Sequence, residues 1–371
     1  MNFLLSTFYY FYFSIIGVYI IFMPKVLSMV GYSASEIGII FAASPLVRFI
    51  VPFLFTRGFK LGDNVFNTSL VVLVMSAIAF YFWIGDFYKL LLANIGLGFG
   101  LSLILPYVEV IALENIGKER YGKVRLFGSV GFIVVALVLV KFLTSVDVAL
   151  YYLLVLVLIT AILSYLLVRF NSASGHKSST LHNDVNLLRD WKLWLGLMLM
   201  QVSFGSFYNF FTIYETDHGI SLDMTVYLWS FGVIMEIVML FFQGTLLKNN
   251  LLLVLQLTTF SAVIRWLLLF LFPEDIVMLF ISQAMHALSF ALFYSASISY
   301  LYTLYEHKTL AQQFLLGVTF GFGGFIGAIF AGYMYEFLPS YLFLSSAIIA
   351  LFSTYFLYLW GKSIISNKIK S

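Results

Sequence analysis

The chain has 371 residues, of which 62% are hydrophobic and 10% charged, where a soluble domain carries roughly 45–50% apolar and about 25% charged residues. No soluble core hides that much apolar surface, so the composition is that of a polytopic membrane protein. The net charge of +3 leaves no footprint for nucleic acid, and the absence of cysteine excludes disulfides, thiolate metal sites and cysteine catalysis.

The chain is apolar almost from Met1, with neither a basic leader nor a small-residue cleavage site. The first segment is therefore expected to be retained as a membrane helix. A helix needs ~20 apolar residues to cross a bilayer. Twelve such runs follow in order, at residues 6–28, 35–57, 65–84, 88–111, 124–143, 148–169, 191–213, 223–245, 250–271, 276–303, 311–335 and 341–361. Backbone groups in lipid must be bonded within the segment, so each run is a helix.

Between the sixth and seventh runs, residues 171–190 (NSASGHKSSTLHNDVNLLRD) are polar and serine-rich, which reads as a linker. The expected fold is an all-α membrane protein of twelve transmembrane helices in two pseudo-symmetric six-helix bundles, 1–170 and 191–371. The halves repeat at an offset of 188: Gly31-Tyr32-Ser33 answers Gly219-Ile220-Ser221, and Arg48 answers Glu236. Gly128-x-x-Gly131-Phe132-Ile133 likewise answers Gly321-x-x-Gly324-Phe325-Ile326. Short glycine motifs also recur by chance in apolar sequence, but two related bundles enclosing a midplane site is a common transporter plan. The glycines of FGFGGFIGAIFAG, residues 320–332, suit close helix packing.

Lysine and arginine set the orientation. With the N-terminus inside, fifteen of the 20 lie on the cytoplasmic side and three, Lys25, Lys89 and Lys141, outside. Both termini are thus expected to be cytoplasmic.

The remaining two, Arg48 and Arg265, lie within the membrane. A charge there is expensive and generally faces a partner or a water-filled cavity. At ~1.5 Å per residue, Arg265 is about 22 Å from the start of its run and about 12 Å from Pro273, too deep to reach water easily. Glu236, thirteen residues into the eighth run, is the expected counter-charge, and His286 of the tenth is the histidine well inside the membrane. A carboxylate, an arginine and a histidine on three consecutive helices can exchange a proton for substrate. The alternative is a static pair that fixes helix register. Arg48, between Pro45 and Pro52, either bonds carbonyls freed by the prolines or faces the cavity opposite Glu236. Glu109 and Glu114 end the fourth run beside Lys118, Arg120, Lys123 and Arg125 and read first as an interfacial charge cluster. Asn94, Tyr208, Asn209 and Gln283 are polar or amphipathic groups within reach of a central cavity.

The segment YGKVRLFGSVGF, Tyr121–Phe132, resembles the start of the fifth helix in the lactose-permease-like branch of the major facilitator superfamily, and most closely its 3-phenylpropionate permease-like members. GYSASEIG, PLVRFIVP, WKLW, VIRWLLL and GFGGFIGAIFAGYMYE extend the resemblance along the chain. The resemblance implies that Arg125 binds substrate, that Phe132 holds the position of a stacking tryptophan, and that Glu109 matches a fourth-helix acid. It also implies that Glu236, Arg265 and His286 form a proton-coupling cluster. Ser289 stands where lactose permeases carry an acid one turn after the histidine, and Tyr208 and Phe211 replace two seventh-helix aspartates. Phe132 replaces the tryptophan, and FTRGFKLGDN departs from the usual loop after the second helix. These departures argue against lactose.

The implied function is secondary transport of a small organic solute (an aromatic acid, a nucleoside or a sugar), with protons as the coupling ion. Efflux and a non-transporting receptor in the same fold are the alternatives. No H-E-x-x-H, G-x-S-x-G or paired acid–metal spacing points to an enzyme. No cofactor or nucleic-acid partner is expected. The partners are substrate, protons and lipid, and the setting is a bacterial inner membrane with the protein as a monomer.

Overall fold

The computed structural model describes residues 1–56, 62–170, 185–248 and 250–370. Most of the predicted linker, 171–184, and the loop residues 57–61 lie outside them. The described chain is helical, without strands. Twelve helices of membrane length follow one another: α1 (Asn2–Val30), α2 (Ala34–Thr56), α3 (Asp63–Trp83), α4 (Phe87–Gly117), α5 (Arg120–Phe142) and α6 (Val146–Phe170). After the linker come α7 (Trp191–Asp217), α8 (Leu222–Leu246), α9 (Leu251–Leu271), α10 (Ile276–Leu304), α11 (Leu310–Phe337) and α12 (Leu342–Lys370).

Eleven of these are apolar enough by composition to cross a membrane, and α7 is the less apolar exception. Its position explains this. Most of α7 is buried against α11 and α12, so it meets protein on most sides and tolerates Gln201, Ser203, Ser206, Asn209 and Thr212.

Helices α1–α6 pack with one another, as do α7–α12, and the two bundles meet along α2–α11, α5–α8 and α1–α7. The 188-residue repeat has a local cause. Gly31 and Gly219 end α1 and α7 at φ 107° and 84°, a left-handed conformation that favours glycine. Ser33 and Ser221 then accept from the backbone N–H of Glu36 and Met224 to start the next helix. The Gly128/Gly321 likeness is different: Gly128 lies on Phe13 of α1 within its own half, whereas Gly321 lies on Phe49 of the other half.

The sequence predicts a polar break over residues 112–123. The break is there but shorter: α4 runs on to Gly117, whose φ of 69° and ψ of 168° interrupt the helix, and α5 starts at Arg120. Apolar runs mark only the hydrocarbon span, while Glu, Lys and Arg are good helix formers and carry the helix past it.

Three helices contain wider turns: α1 at Val18–Phe22, α10 at Ala287–Leu292 and α11 at Leu315–Gly323. In α1, Pro24 lacks the N–H for the carbonyl one turn back. Such turns are frequent at functional sites, and that of α10 begins directly after His286.

Candidate functional site

Three helices of the second bundle converge on Arg265, which is 0% exposed. Its Nη1 donates to His286 Nδ1 at 2.9 Å and to Ser289 Oγ at 3.3 Å, and Nη2 donates to Gln283 Oε1 at 3.2 Å. The guanidinium carbon lies 4.2 Å from the Phe207 ring centre, 4.6 Å from Trp266 and 5.5 Å from Phe204. Arg265 Nε has no hydrogen-bond partner among the described residues.

Sequence reasoning expected Glu236 directly against Arg265; the structure puts His286 between them. Glu236 Oε2 is 3.9 Å from His286 Nε2. A guanidinium only donates, so His286 Nδ1 must accept, which leaves the ring proton on Nε2, facing the carboxylate. The imidazole is stacked on Phe290 at 5.0 Å and 5°, which fixes its plane. The arrangement is an ordered chain, Glu236–His286–Arg265, running from a partly exposed end inward: the Glu236 side chain is 24% exposed and His286 is buried.

The first bundle faces this chain with Arg125 of α5. The guanidinium carbon lies 4.0 Å from the Phe13 ring centre and 5.3 Å from Tyr9, and Nε is 3.6 Å from Glu109 Oε1. Tyr121 OH donates to the same carboxylate oxygen at 3.0 Å. Arg125 is within electrostatic range of Glu236 and of Tyr294 on α10. With side chains 31% and 32% exposed, Arg125 and Glu109 remain open to a ligand.

The other sequence candidates separate. Arg48 is exposed and within electrostatic range of Tyr12 and Tyr19 of α1 and Tyr208 of α7, toward the space between the bundles. Tyr208 packs on Phe204, Phe207 and Phe290. Asn209 donates to Gly205 O one turn back at 2.7 Å. Asn94 is fully buried; it accepts from Tyr19 OH at 2.7 Å and donates to Ile40 O, tying α1, α2 and α4 together. Phe132 is buried in the first bundle against Gly17 of α1. Gln283 is buried as a partner of Arg265.

Tyr9, Phe13, Tyr121 and Tyr294 surround the Arg125 site and were not foreseen. Among 41 Phe and 24 Tyr, nothing local sets them apart.

At the end away from the termini, here the distal end, polar bonds join the bundles. Lys25 Nζ donates to Thr216 Oγ1 at 2.9 Å and lies 3.6 Å from Asp217 Oδ1. Ser35 N donates to Glu336 Oε2 at 2.8 Å, and Lys141 pairs with Asp223 at 3.0 Å. A cleft of about 330 Å³ lined by Tyr32, Ile37, Phe210, Asp217, Tyr335 and Glu336 lies among them.

A family model described as the MFS_1 like family matches residues 3–345. The "Probable 3-phenylpropionic acid transporter" of Escherichia coli (strain K12) is 25% identical over 371 residues, covering 92% of this chain and 93% of the relative. Among solved structures, the nucleoside transporter NupG superposes with a TM-score of 0.80 at 15% identity, covering 97% of this chain and 98% of that one. A bacterial homolog to the human lysosomal transporter Spinster, inward-facing and occupied, gives 0.70 at 12% identity, covering 97% and 96%. At these identities the likeness to solved structures is one of fold.

Proposed function

The chain belongs to the MFS_1 like family of the major facilitator superfamily and is a secondary transporter of a small organic solute; from that premise we propose that it is a proton symporter for a small aromatic carboxylic acid. In this reading it works as a monomer in a bacterial inner membrane, both termini are cytoplasmic, and the distal end is the outer one.

The observation that carries the reading is the pairing of two facing charge groups across the cavity. Arg125 lies between aromatic rings, which suits a carboxylate attached to an aromatic ring. Glu236 is the cavity-facing end of the Glu236–His286–Arg265 chain. Arg48 and Arg125 lie toward the space between the bundles and Arg265 is buried behind His286, so three guanidinium groups stand against the two carboxylates Glu109 and Glu236, a balance that attracts an anion more than a neutral sugar or nucleoside. The 25% identical relative, named for 3-phenylpropionic acid, supports the same class.

In this mechanism a proton binds Glu236 and removes its negative charge. The cavity becomes more positive, and the substrate carboxylate binds Arg125 more tightly. Loss of substrate on the far side weakens the hold on the proton in return. Binding of each ligand thus favours the other, as linkage requires.

The test uses protein in liposomes with a pH dye inside, challenged with 3-phenylpropionate, nucleosides and sugars, with protein-free liposomes correcting for passive entry of weak acids. The expected result is protein-dependent proton entry with the aromatic acid, lost in Glu236→Gln, while exchange of labelled for unlabelled substrate persists. Proton entry unchanged in Glu236→Gln removes Glu236 as carrier. Entry with nucleosides or sugars instead replaces the substrate class. Proton-driven extrusion, or silence from folded protein, replaces symport with efflux or a receptor role.

A further inference from the structure

Glu215 stands outside the cavity chemistry described so far. It lies near the distal end of α7, it is 0% exposed, and neither carboxylate oxygen has a hydrogen-bond partner among the described residues. The next two residues, Thr216 and Asp217, hold Lys25 of the first bundle. A fully buried and unpartnered acid therefore sits beside the contact that must break whenever the distal end opens.

The groups around it are accounted for. On α7 itself, Tyr214 OH donates to Leu269 O of α9, its ring meets Phe343 of α12, and the His218 ring bonds Tyr214 O. On α11, Tyr335 OH donates to Asp217 Oδ2 at 2.6 Å and Glu336 accepts from Ser35 N. On α8, Asp223 pairs with Lys141 of α5, and on α1, Lys25 is engaged with Thr216 and Asp217. One turn before Glu215, Thr212 and Phe211 meet Trp229 of α8. No cation lies within ion-pair distance of Glu215 among the described residues.

An ionised carboxylate without partners in such a place costs far more than a neutral carboxyl, and such groups neutralise instead. We propose that Glu215 is a proton-binding site of the distal gate: it holds a proton while the bundles are joined there and releases it when the gate opens. On opening, the Glu215 O–H bond breaks, the electron pair stays on the carboxylate and the proton passes to the entering water. Closure requires the reverse, uptake of one proton from the distal side. The inference rests on movement of the two bundles and not on Glu236, so it holds or falls separately from proton symport.

The cysteine-free chain allows spin labels at Met29→Cys and Phe337→Cys, exposed positions on the two bundles at the distal end. Their separation is measured in lipid nanodiscs from acidic to mildly alkaline pH. The separated population is expected to grow at least ~10-fold with alkalinisation, equivalent to one unit of differential proton affinity. Glu215→Gln, a neutral mimic of the protonated group, should remove that dependence, and Asp217→Asn should retain it. Identical titrations in wild type and Glu215→Gln, or none in wild type, would overturn the proposal. If Glu215→Gln does not fold, the infrared band of a protonated carboxyl is followed in a Glu236→Gln background. The band should vanish over the same pH range in which the labels separate, and absence of the band at acidic pH with the gate closed counts against the proposal.

Discussion

Arg265 is a fully buried cation without a carboxylate partner among the described residues; neutral acceptors and three aromatic faces hold it instead. Cation–π contacts contribute about 2 kcal/mol or more when desolvated, so Phe207, Trp266 and Phe204 offset part of the cost of burial. That leaves Glu236 without a direct contact to Arg265 and with its side chain 24% exposed, as the proposed proton exchange requires. Arg125 is the complementary case, a guanidinium shared between Glu109 and open space. Arg125→Gln should raise the half-saturation concentration for an aromatic acid about 10- to 100-fold, since hydrogen bonds to charged groups contribute about 1.5–3 kcal/mol. Binding measured by displacement of a labelled acid checks this, and an unchanged affinity removes Arg125 from the site. At this scale the sequence announces some residues and hides others. An ionisable side chain in a long apolar run is legible at once, hence Arg265, Glu236 and His286. Their order in space is not, because helix rotation decides that His286 lies between the other two. Glu215 escaped because the apolar run was expected to end at residue 213, whereas α7 continues to Asp217 and takes Glu215 inside.

At the scale of elements, glycine spacing controls how closely helices approach. A Cβ on Gly205 would lie 2.2 Å from the backbone of Gly327, within the second bundle. Gly205→Ala should therefore destabilise the fold by about 1–3 kcal/mol, the usual cost of overpacking, seen as earlier thermal unfolding in detergent. A Cβ on Gly332 would meet Ala34 O at 2.8 Å and Gly38 Cα at 3.0 Å, across the boundary between bundles. There the bundles can move apart, so Gly332→Ala should leave thermal unfolding nearly unchanged and enlarge the label separation at the distal end. Equal losses of stability in both variants would contradict this division. The helix boundaries show the same limit of sequence reading. Hydropathy marks the hydrocarbon span well but stops short of helix ends such as Gly117 of α4, and it undervalues α7, whose surroundings are protein.

At the scale of the molecule, the distal bonds hold one of the alternating states. Lys25 and Asp217 have side chains 24% and 50% exposed, and such pairs contribute roughly 0–1 kcal/mol. Lys25→Gln should thus enlarge the separated population by up to about 5-fold, and the difference from wild type should fade as salt screens the pair; a shift insensitive to salt would assign the role of Lys25 to Thr216 alone. The many small contacts along α2–α11 then carry most of the closed state, which suits a gate that must open in each cycle. Hydrocarbon content and run length alone determined the membrane class and the twelve helices, because lipid leaves the backbone no alternative to helix; the polar segment after the sixth run and the 188-residue offset pointed to the two halves. The buried ionisable residues drew attention to Glu236, Arg265 and His286, because their expense in lipid needs a reason. Only the tertiary structure decided that His286 separates Glu236 from Arg265, that Asn94 and Phe132 lie in the packing of the first bundle, that Tyr9 and Phe13 flank Arg125, and that Glu215 is enclosed at the gate. Those facts depend on the rotation and approach of helices far apart in the chain, and no single apolar run carries that information.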